Sequence, residues 1–229
     1  MKKLSMLTGL LAAALTAAGA PFTIAHTGCE GTKMNSLESV RVAIEAGVDI
    51  AEFDLNVNSA GELVISHDRP KGGEPTVDAA LAEVAKSPKL RINIDCKNKS
   101  RLEKLPALIA KHGLEKRFFL TGIGEKKVAV VRAKYPGAPY LVSAAFDLNK
   151  PNRKQRAEEL AERVKKLGGI GICIHFRMAC EEIVEAAHKR GLVVSVWTPG
   201  KESEITPLIK MGCDYITSRN ARLLRRLVK

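Results

Sequence analysis

Short apolar runs alternate with amphipathic stretches along almost the whole chain. Apolar runs rich in β-branched residues are typical of buried parallel strands, and apolar residues repeated every three to four positions are typical of helices that cover a sheet. The pattern predicts strands at residues 22–26, 50–56, 91–96, 118–121, 140–144, 170–174, 192–197 and 215–217. It predicts helices at residues 36–46, 76–85, 102–112, 126–134, 154–167, 181–190, 203–211 and from residue 220 onward.

A further extended run, residues 63–66, follows the second strand across a tight turn and is counted as an arm of that strand. The resulting tally of eight strands and eight helices predicts an α/β fold, the (β/α)8 TIM barrel. An open doubly wound sheet is the alternative. No composition shift, low-complexity run or long linker divides the chain, so we expect a single domain over residues 21–229.

The second strand and its arm carry ionisable side chains in a regular order. Glu52, Asp54 and Asn56 fall on one face of the strand because successive side chains alternate between faces. Two carboxylates on one buried face repel each other unless a cation neutralises them, so this spacing predicts a metal site. The arm ends in His67-Asp68, which brings an imidazole beside the carboxylates as a candidate acid or base.

Other polar and aromatic residues also stand where predicted strands end, which is where barrel enzymes build their active sites. They are His26 after the first strand, Asp95 and Lys97 at the third, His175 after the sixth and Trp197 at the seventh. Asp95 either pairs with Lys97 or completes an all-oxygen site suited to Mg²⁺ or Ca²⁺. His175 either lines the pocket or caps its strand, and Trp197 either packs or walls the pocket.

The formal net charge is +12, and the basic residues are spread over many helical surfaces. A spread of this kind does not favour nucleic acid as a partner, although it would attract anionic small molecules and permit transient contact with a membrane surface. The oligomeric state is left open. There are five cysteines, Cys29, Cys96, Cys173, Cys180 and Cys213, and none are in a CxxC spacing, so we predict no disulfide framework. Cys96, Cys173 and Cys213 lie in apolar runs, which predicts buried thiols there.

The N-terminus reads Met-Lys-Lys followed by an apolar run that ends in small residues at Ala20. This is typical of a secretory signal peptide, and the run is shorter than the ~20 residues of a membrane span. We therefore expect a signal peptide over residues 1–20, with cleavage near Ala17 or Ala18, and export to the periplasm or the medium. A retained signal anchor is the alternative.

Taken together, the motifs resemble the glycerophosphodiester phosphodiesterase family of the phospholipase-C-like phosphodiesterase superfamily, over essentially the whole mature chain. The resemblance rests on His26-Thr27-Gly28 with Asn35-Ser36, Glu52-Phe53-Asp54, Ser66-His67-Asp68, Asp95-Cys96-Lys97, Val196-Trp197-Thr198 and residues 212–217. It implies hydrolysis of glycerophosphodiesters to glycerol 3-phosphate and an alcohol.

The resemblance also implies roles for individual residues. Glu52, Asp54 and Asp95 would bind one divalent cation, Mg²⁺ or Ca²⁺, while His26 and His67 would do the acid and base work. Lys97 would face the phosphate. We expect four further residues to contact the substrate: Thr27, Glu30, His175 and Trp197.

Several positions depart from the family pattern. Thr27 stands where the family usually has arginine, Met34 where it usually has glutamate, with Glu30 as the nearby substitute, and Asp95 where glutamate is common. The segment 69–75 is short where the family often inserts a small subdomain, which predicts an open pocket. The sphingomyelinase D branch of the superfamily, which lacks the insertion and uses aspartate, is the alternative enzyme. A barrel that binds phosphoesters without turnover is the alternative of another class.

Overall fold

The computed structural model describes residues 19–229, and eight parallel strands form a closed barrel in it. Pairing of β1 with both β2 and β9 closes the ring. The predicted α/β (β/α)8 TIM barrel is confirmed. In chain order the strands are β1 (Phe22–Ala25), β2 (Ile50–Val57), β3 (Leu63–Ile65), β4 (Arg91–Cys96), β5 (Phe118–Gly124), β6 (Tyr140–Ser143), β7 (Gly171–His175), β8 (Val193–Trp197) and β9 (Tyr215–Ser218).

The helices form the outer layer and bury one apolar face each against the strands. They are α1 (Leu37–Glu45), α2 (Val77–Ala85), α3 (Leu105–Lys111), α4 (Val128–Lys134), α5 (Arg153–Lys166), α6 (Glu181–His188), α7 (Glu202–Met211) and α8 (Ala221–Val228). The hydroxyls of Ser36 and Thr76 accept hydrogen bonds from the third following amide and so cap α1 and α2. The helices predicted from 102 and 126 begin instead with single 3-10 turns.

The short strand β3 is the predicted arm, and it pairs antiparallel with the end of β2 through Leu55↔Ile65 and Val57↔Leu63. A loop without helix or strand runs from β3 to α2. Its end is joined back to β3 by an antiparallel bridge between Val64 and Thr76. The barrel therefore lacks a subdomain between the second strand and its helix, as predicted.

Strand β5 is longer than predicted, because it continues through a bulge to Gly124. The pairing register with β6 shifts between Leu120 and Ile123, and Gly122 adopts φ +70° within the shift. Glycines are weak strand formers, which is why the sequence pattern ends the strand too early.

The interior of the barrel changes from apolar to polar along the strands. The half toward the N-terminal ends of the strands is an apolar layer of Ile24, Ile50, Phe119, Leu141, Cys173, Val193 and Tyr215, in which the rings of Phe119 and Tyr215 stack at 5.4 Å. One step along the same face the side chains become polar, with Glu52 following Ile50, Thr121 following Phe119 and Thr217 following Tyr215. The apolar layer forms the floor on which the polar residues stand.

All five cysteines are buried free thiols. Within residues 19–229 no helix combines the length and apolar character needed to cross a membrane. The predicted signal peptide, residues 1–20, lies almost entirely outside the described residues.

Candidate active site

A cavity of about 800 Å³ opens at the C-terminal ends of the barrel strands. Six of the residues singled out from the sequence line it: His26, Glu52, His67, Asp95, Lys97 and Trp197. Asp54 lies next to Glu52 and Asp95, behind the residues that line the cavity. His175 lines a neighbouring cavity of about 820 Å³. Thr27 and Glu30 line neither cavity.

Three carboxylates meet at the floor of this cavity. Glu52 and Asp54 stand on β2, and Asp95 on β4 is the register partner of Asp54, so the sheet itself sets the three side by side. One oxygen from each lies within 4.8 Å of the others. Burial, with Asp95 and Asp54 nearby, raises the pKa of Glu52 well above its usual range. The charges on this face repel one another and would be neutralised by a cation.

Asp54 is held by Asn35, a buried residue in the left-handed conformation. The Asn35 side-chain NH₂ donates to Asp54 Oδ2 at 2.8 Å, and its oxygen accepts the Asp54 backbone N–H at 2.9 Å. The Thr27 hydroxyl in turn accepts the Asn35 backbone N–H at 2.6 Å. Thr27 therefore points into the barrel wall and positions Asn35, so its predicted contact with substrate has no geometric support.

Glu52 is held in a similar way by Asn93. The Asn93 NH₂ donates to Glu52 Oε2 at 3.0 Å, while its oxygen accepts the Thr121 hydroxyl at 2.8 Å. The second bond fixes which way the Asn93 amide points. Two of the three carboxylates thus have a dedicated amide that orients them.

The third carboxylate, Asp95, fits beside the strand bulge. Its Oδ1 is buried without a hydrogen-bond partner, and a Cβ added at Gly122 would lie 2.0 Å from that oxygen. The glycine is thus needed for the carboxylate to occupy its place. A buried carboxylate oxygen without a donor, beside two other carboxylates, is the ligand set that hard divalent cations prefer. The residues present fit such an ion.

Lys97 balances part of this charge. Its ammonium nitrogen lies 2.7 Å from Asp95 Oδ2 and 3.3 Å from Asp54 Oδ1. Burial alone would lower the pKa of Lys97, but the two carboxylates outweigh burial and raise it. Both sequence alternatives for Asp95, pairing with Lys97 and joining the carboxylate group, are therefore met in one arrangement.

His26 sits at the edge of the carboxylate group. Its Nε2 lies 3.7 Å from Glu52 Oε1, and its Nδ1 lies 3.0 Å from the Thr27 carbonyl oxygen. Burial lowers the pKa of His26, and the nearby Arg219 guanidinium lowers it further. A proton on Nδ1 that is donated to the carbonyl leaves the Nε2 lone pair facing the carboxylates.

His67 reaches the cavity from the loop after β3. The Asn56 NH₂ donates to the Asp68 carbonyl oxygen at 2.9 Å, which anchors this loop to β2. His67 Nδ1 lies 3.0 Å from Asp68 Oδ1, and 54% of its side chain is exposed. Asn56, which shares a strand face with the carboxylates, therefore positions the histidine loop.

The other predicted substrate contacts are arranged as follows. Trp197 is 44% exposed at the cavity wall, and its ring meets the edge of His175 at 5.0 Å between centroids. Glu30 accepts the Arg222 backbone N–H at 3.0 Å and lies 3.8 Å from the Arg222 guanidinium. Glu30 thus binds the start of α8, and its predicted contact with substrate has no geometric support.

Sequence reasoning did not single out Asn35, Asn93 or Arg219 as site residues. Asn93 shares a strand face with Asp95, so the alternation of the strand would have predicted Asn93 as a site residue. Arg219 lines the cavity directly after β9, so its position beyond a barrel strand was also a signal. Asn35 gives no signal of strand alternation, because it lies in the loop between β1 and α1 and reaches Asp54 on the neighbouring strand β2.

The comparisons with known proteins identify the family. The sequence profile of the family described as the glycerophosphoryl diester phosphodiesterase family matches residues 19–87 and 75–220. A glycerophosphodiester phosphodiesterase of Caldanaerobacter subterraneus is 25% identical over 240 residues, which cover 90% of this chain and 97% of that protein.

Solved structures share the fold. A Silicibacter pomeroyi protein, provisionally assigned to the same family, superposes with a TM-score of 0.81 at 18% identity and covers 96% of this chain and 97% of its own. A phosphodiesterase of Oleispira antarctica, crystallised with its product sn-glycerol-3-phosphate, superposes with a TM-score of 0.70 at 18% identity over 91% of this chain and 97% of its own.

Proposed function

Because the chain belongs to the glycerophosphoryl diester phosphodiesterase family and is a phosphodiester hydrolase, we propose that it cleaves glycerophosphodiesters to glycerol 3-phosphate and an alcohol. The observation that carries the proposal is one cavity lined by two histidines, His26 and His67, and by two members of a cluster of three carboxylates. The glycerol 3-phosphate bound to the Oleispira antarctica relative supports this substrate class.

The proposed cofactor is one divalent cation, Mg²⁺ or Ca²⁺, held by Glu52, Asp54 and Asp95. When bound, the ion supplies positive charge that offsets the anionic oxygens of the phosphodiester. Asn35 and Asn93 keep two of the ligands in place, because the Thr27 hydroxyl holds the Asn35 backbone N–H and the Thr121 hydroxyl holds the Asn93 side-chain amide. Lys97 contributes a second positive charge at the same carboxylates.

We assign the proton transfers to the two histidines. Hydrolysis of a phosphodiester removes a proton from the attacking oxygen and adds one to the departing alcohol oxygen, so one base and one acid balance the reaction. His26 holds its Nδ1 toward a carbonyl and presents Nε2 to the cavity. His67 holds its Nδ1 toward Asp68, and this contact orients the ring. The attacking oxygen is that of water or of a neighbouring glycerol hydroxyl.

The alcohol part of the substrate would lie against Trp197 and His175, whose rings meet at the rim between the two cavities. No subdomain covers this side, since the chain runs directly from β3 to α2. We therefore expect a broad tolerance for the alcohol. Lys97 stays a candidate phosphate contact.

We further propose that the protein is exported to the periplasm or the medium after cleavage of the signal peptide near Ala17 or Ala18. The Met-Lys-Lys start followed by a short apolar run supports this. Export would place the enzyme where phosphodiesters released from lipids are available. Transient contact with an anionic membrane surface is compatible with the net charge, which is +12 for the full sequence and +10 without Lys2 and Lys3.

A second candidate is a sphingomyelinase D-like activity on lipid head groups. Two observations favour it, the short third carboxylate Asp95 and the direct connection from β3 to α2. A barrel that binds phosphoesters without turnover is the third possibility. The three differ in products and in metal dependence.

The test is hydrolysis by the mature protein of glycerophosphocholine, glycerophosphoethanolamine, glycerophosphoglycerol, lysophosphatidylcholine and sphingomyelin. Each is assayed with Mg²⁺, with Ca²⁺ and with chelator, beside a His67→Ala variant. We expect metal-dependent release of glycerol 3-phosphate from the first three, and its loss by about 10²-fold or more in the variant. His67 is exposed, so the variant should keep its melting temperature.

Release of choline from the two lipids alone would replace the proposal with the sphingomyelinase D-like activity. Absence of turnover in folded, metal-loaded protein would favour the third possibility, a barrel that binds phosphoesters without hydrolysing them. Equal turnover in chelator would contradict the metal assignment.

A further inference from the structure

Three cationic side chains line the main cavity, and two of them are already engaged. Lys97 contacts both Asp54 and Asp95, and the Lys99 ammonium donates to the carbonyl oxygen of Cys96. Within residues 19–229, the Arg219 guanidinium has no carboxylate within 4.0 Å. Its charge is therefore available to an anion that enters the cavity.

The backbone of Arg219 is firmly held. Its carbonyl oxygen accepts the Glu30 backbone N–H at 2.9 Å, and the preceding residue, Ser218, donates its hydroxyl to Pro199 at 2.7 Å. The following residue, Asn220, caps α8. The side chain therefore starts from a fixed point at the cavity rim, which lowers the entropy lost when it binds a ligand.

The guanidinium lies beside His26, but the imidazole does not offer it a free hydrogen-bond acceptor. Arg219 Nε is 3.2 Å from His26 Nδ1, but that nitrogen also lies 3.0 Å from the Thr27 carbonyl oxygen. The carbonyl needs a proton on Nδ1, whereas Arg219 needs a lone pair there, so the two contacts exclude each other. In the tautomer that presents the Nε2 lone pair to the cavity, the Arg219 donor has no acceptor at His26.

The remaining contact of the guanidinium is also weak. Arg219 Nη2 lies 3.5 Å from the Met34 sulfur, which is a poor acceptor and carries no charge. Met34 is 38% exposed and packs against the backbone at Gly28. Met34 thus steadies the arginine without neutralising it.

We propose that Arg219 binds the phosphate group of the substrate from the rim of the cavity, beside His26. This inference rests on the proposed function for the identity of the anion. A guanidinium donates two parallel hydrogen bonds to phosphate oxygens, and it keeps its charge at all relevant pH values. His26 then lies between the carboxylate group and the arginine, next to the bound phosphate.

The first test measures binding of inorganic phosphate to the mature protein by calorimetry in the presence of Mg²⁺, and KM and kcat for glycerophosphodiesters. We compare Arg219→Ala and Arg219→Lys with Arg226→Ala, a loosely paired surface arginine on α8. We expect Arg219→Ala to weaken phosphate binding and raise KM by about 10-fold or more, and Arg219→Lys to do so less, because lysine offers a point charge. Arg226→Ala should match the unchanged protein, and guanidinium ion should partly restore Arg219→Ala.

The second test changes the neighbour instead. Met34→Glu would place a carboxylate against the guanidinium, while Met34→Gln keeps the shape without the charge. We expect Met34→Glu to weaken phosphate binding more than Met34→Gln does, and most of that difference to disappear when Arg219→Ala is added. A difference that is unchanged in the Arg219→Ala background would mean that the new carboxylate repels phosphate directly, and would overturn the inference.

The outcomes separate this inference from the proposed function. Hydrolysis of glycerophosphodiesters with unchanged phosphate affinity and KM in Arg219→Ala would overturn the inference and keep the function. Loss of kcat alone, with phosphate affinity unchanged, would overturn it as well, because the arginine would then act only through His26. Phosphate binding that depends on Arg219 in a protein without hydrolytic activity would support the inference and overturn the function.

Discussion

The two halves of the barrel interior are built on the same strands but have opposite character. Toward the N-terminal ends, Ile50 and Phe119 belong to a dry apolar layer closed by the ring of Tyr215. One alternation further along, Glu52 and Thr121 belong to a polar layer of carboxylates, amides and hydroxyls. The apolar layer gains stability from burial, whereas the polar layer holds like charges together.

This difference separates the residues that hold the barrel together from those that act on a ligand. Changes in the apolar layer should act on the free energy of unfolding, while changes in the polar layer should act on metal binding and turnover. Polar-layer changes should even stabilise the protein where they remove a buried charge.

The largest effect is expected for Glu52→Gln in the polar layer. The amide keeps the shape and the contact to Asn93 but removes a proposed metal ligand, so kcat/KM should fall by about 10³-fold or more. Burial raises the pKa of Glu52 because its charge is costly in place, so at neutral pH with chelator the variant should unfold at a higher temperature.

Steady-state kinetics and thermal unfolding check both parts, with Glu45→Gln as an exposed control on α1. A variant that loses activity together with stability would mean that the carboxylate also holds the barrel. That result would break the division between the layers.

Phe119→Ala tests the apolar layer in the opposite sense. The ring is fully buried and stacks on Tyr215, so its loss should lower the free energy of unfolding by about 3–5 kcal/mol. The fraction that remains folded should keep a near-normal kcat and metal affinity. Chemical denaturation checks the first, and turnover per folded molecule checks the second.

Phe119→Leu is the matched control and should cost less, since it keeps most of the apolar volume. If Phe119→Ala instead abolishes metal binding in folded protein, the apolar floor also positions the carboxylates above it.

Most of the fold and half of the site could be predicted from the sequence. The strand period of two places Glu52 and Asp54 on one face, and the barrel rule brings His26, Asp95 and Trp197 to the same end. These are properties of single segments and of the order in which the segments occur. The family profile agrees with the predicted family, and the closed barrel agrees with the predicted fold.

The remaining site residues depend on contacts that no local pattern records. Arg219 reaches His26 across 193 positions of sequence, and Asn35 braces Asp54 from a loop. Thr27 was expected at the substrate, but alternation alone does not say that its hydroxyl bonds to the Asn35 backbone. Such contacts follow from how the loops fold over the barrel, which periodicity does not encode.

Gly122→Ala tests the contact between the strand bulge and the polar layer. The added methyl group would overlap Asp95 Oδ1, and φ at this position is +70°, so the carboxylate must move. We expect metal affinity to fall by about 10-fold or more, with a loss of about 1–2 kcal/mol in the free energy of unfolding. Calorimetric titration with Mg²⁺ or Ca²⁺ measures the first.

Gly124→Ala is the control, because a Cβ there meets nothing within 4 Å and φ is negative. Equal metal affinity in both variants would mean that Asp95 tolerates displacement, and would argue against its role as a ligand.

The smallest effect contrasts Glu52 with another buried carboxylate, Glu83, which lies on α2 outside the barrel interior. Arg41 and Lys86 contact Glu83 at 2.9 and 2.8 Å, and they lower its pKa to about 2. A lowered pKa stabilises the folded state above the unfolded pKa of ~4.3, and that contribution is lost as the pH falls through about 2. Because solvent reaches both cations, Glu83→Gln should cost only about 1 kcal/mol at neutral pH.

The cost of Glu83→Gln should shrink between pH 4.5 and 2, the range over which the carboxylate of the unchanged protein becomes protonated. Denaturant unfolding at several pH values measures it, and activity should not change, because Glu83 lies outside both cavities. The two Glu→Gln variants thus have opposite expected signs at neutral pH, stabilising at position 52 and destabilising at position 83. If the two variants changed stability with the same sign, pairing with cations would not be what decides whether a buried carboxylate stabilises this fold.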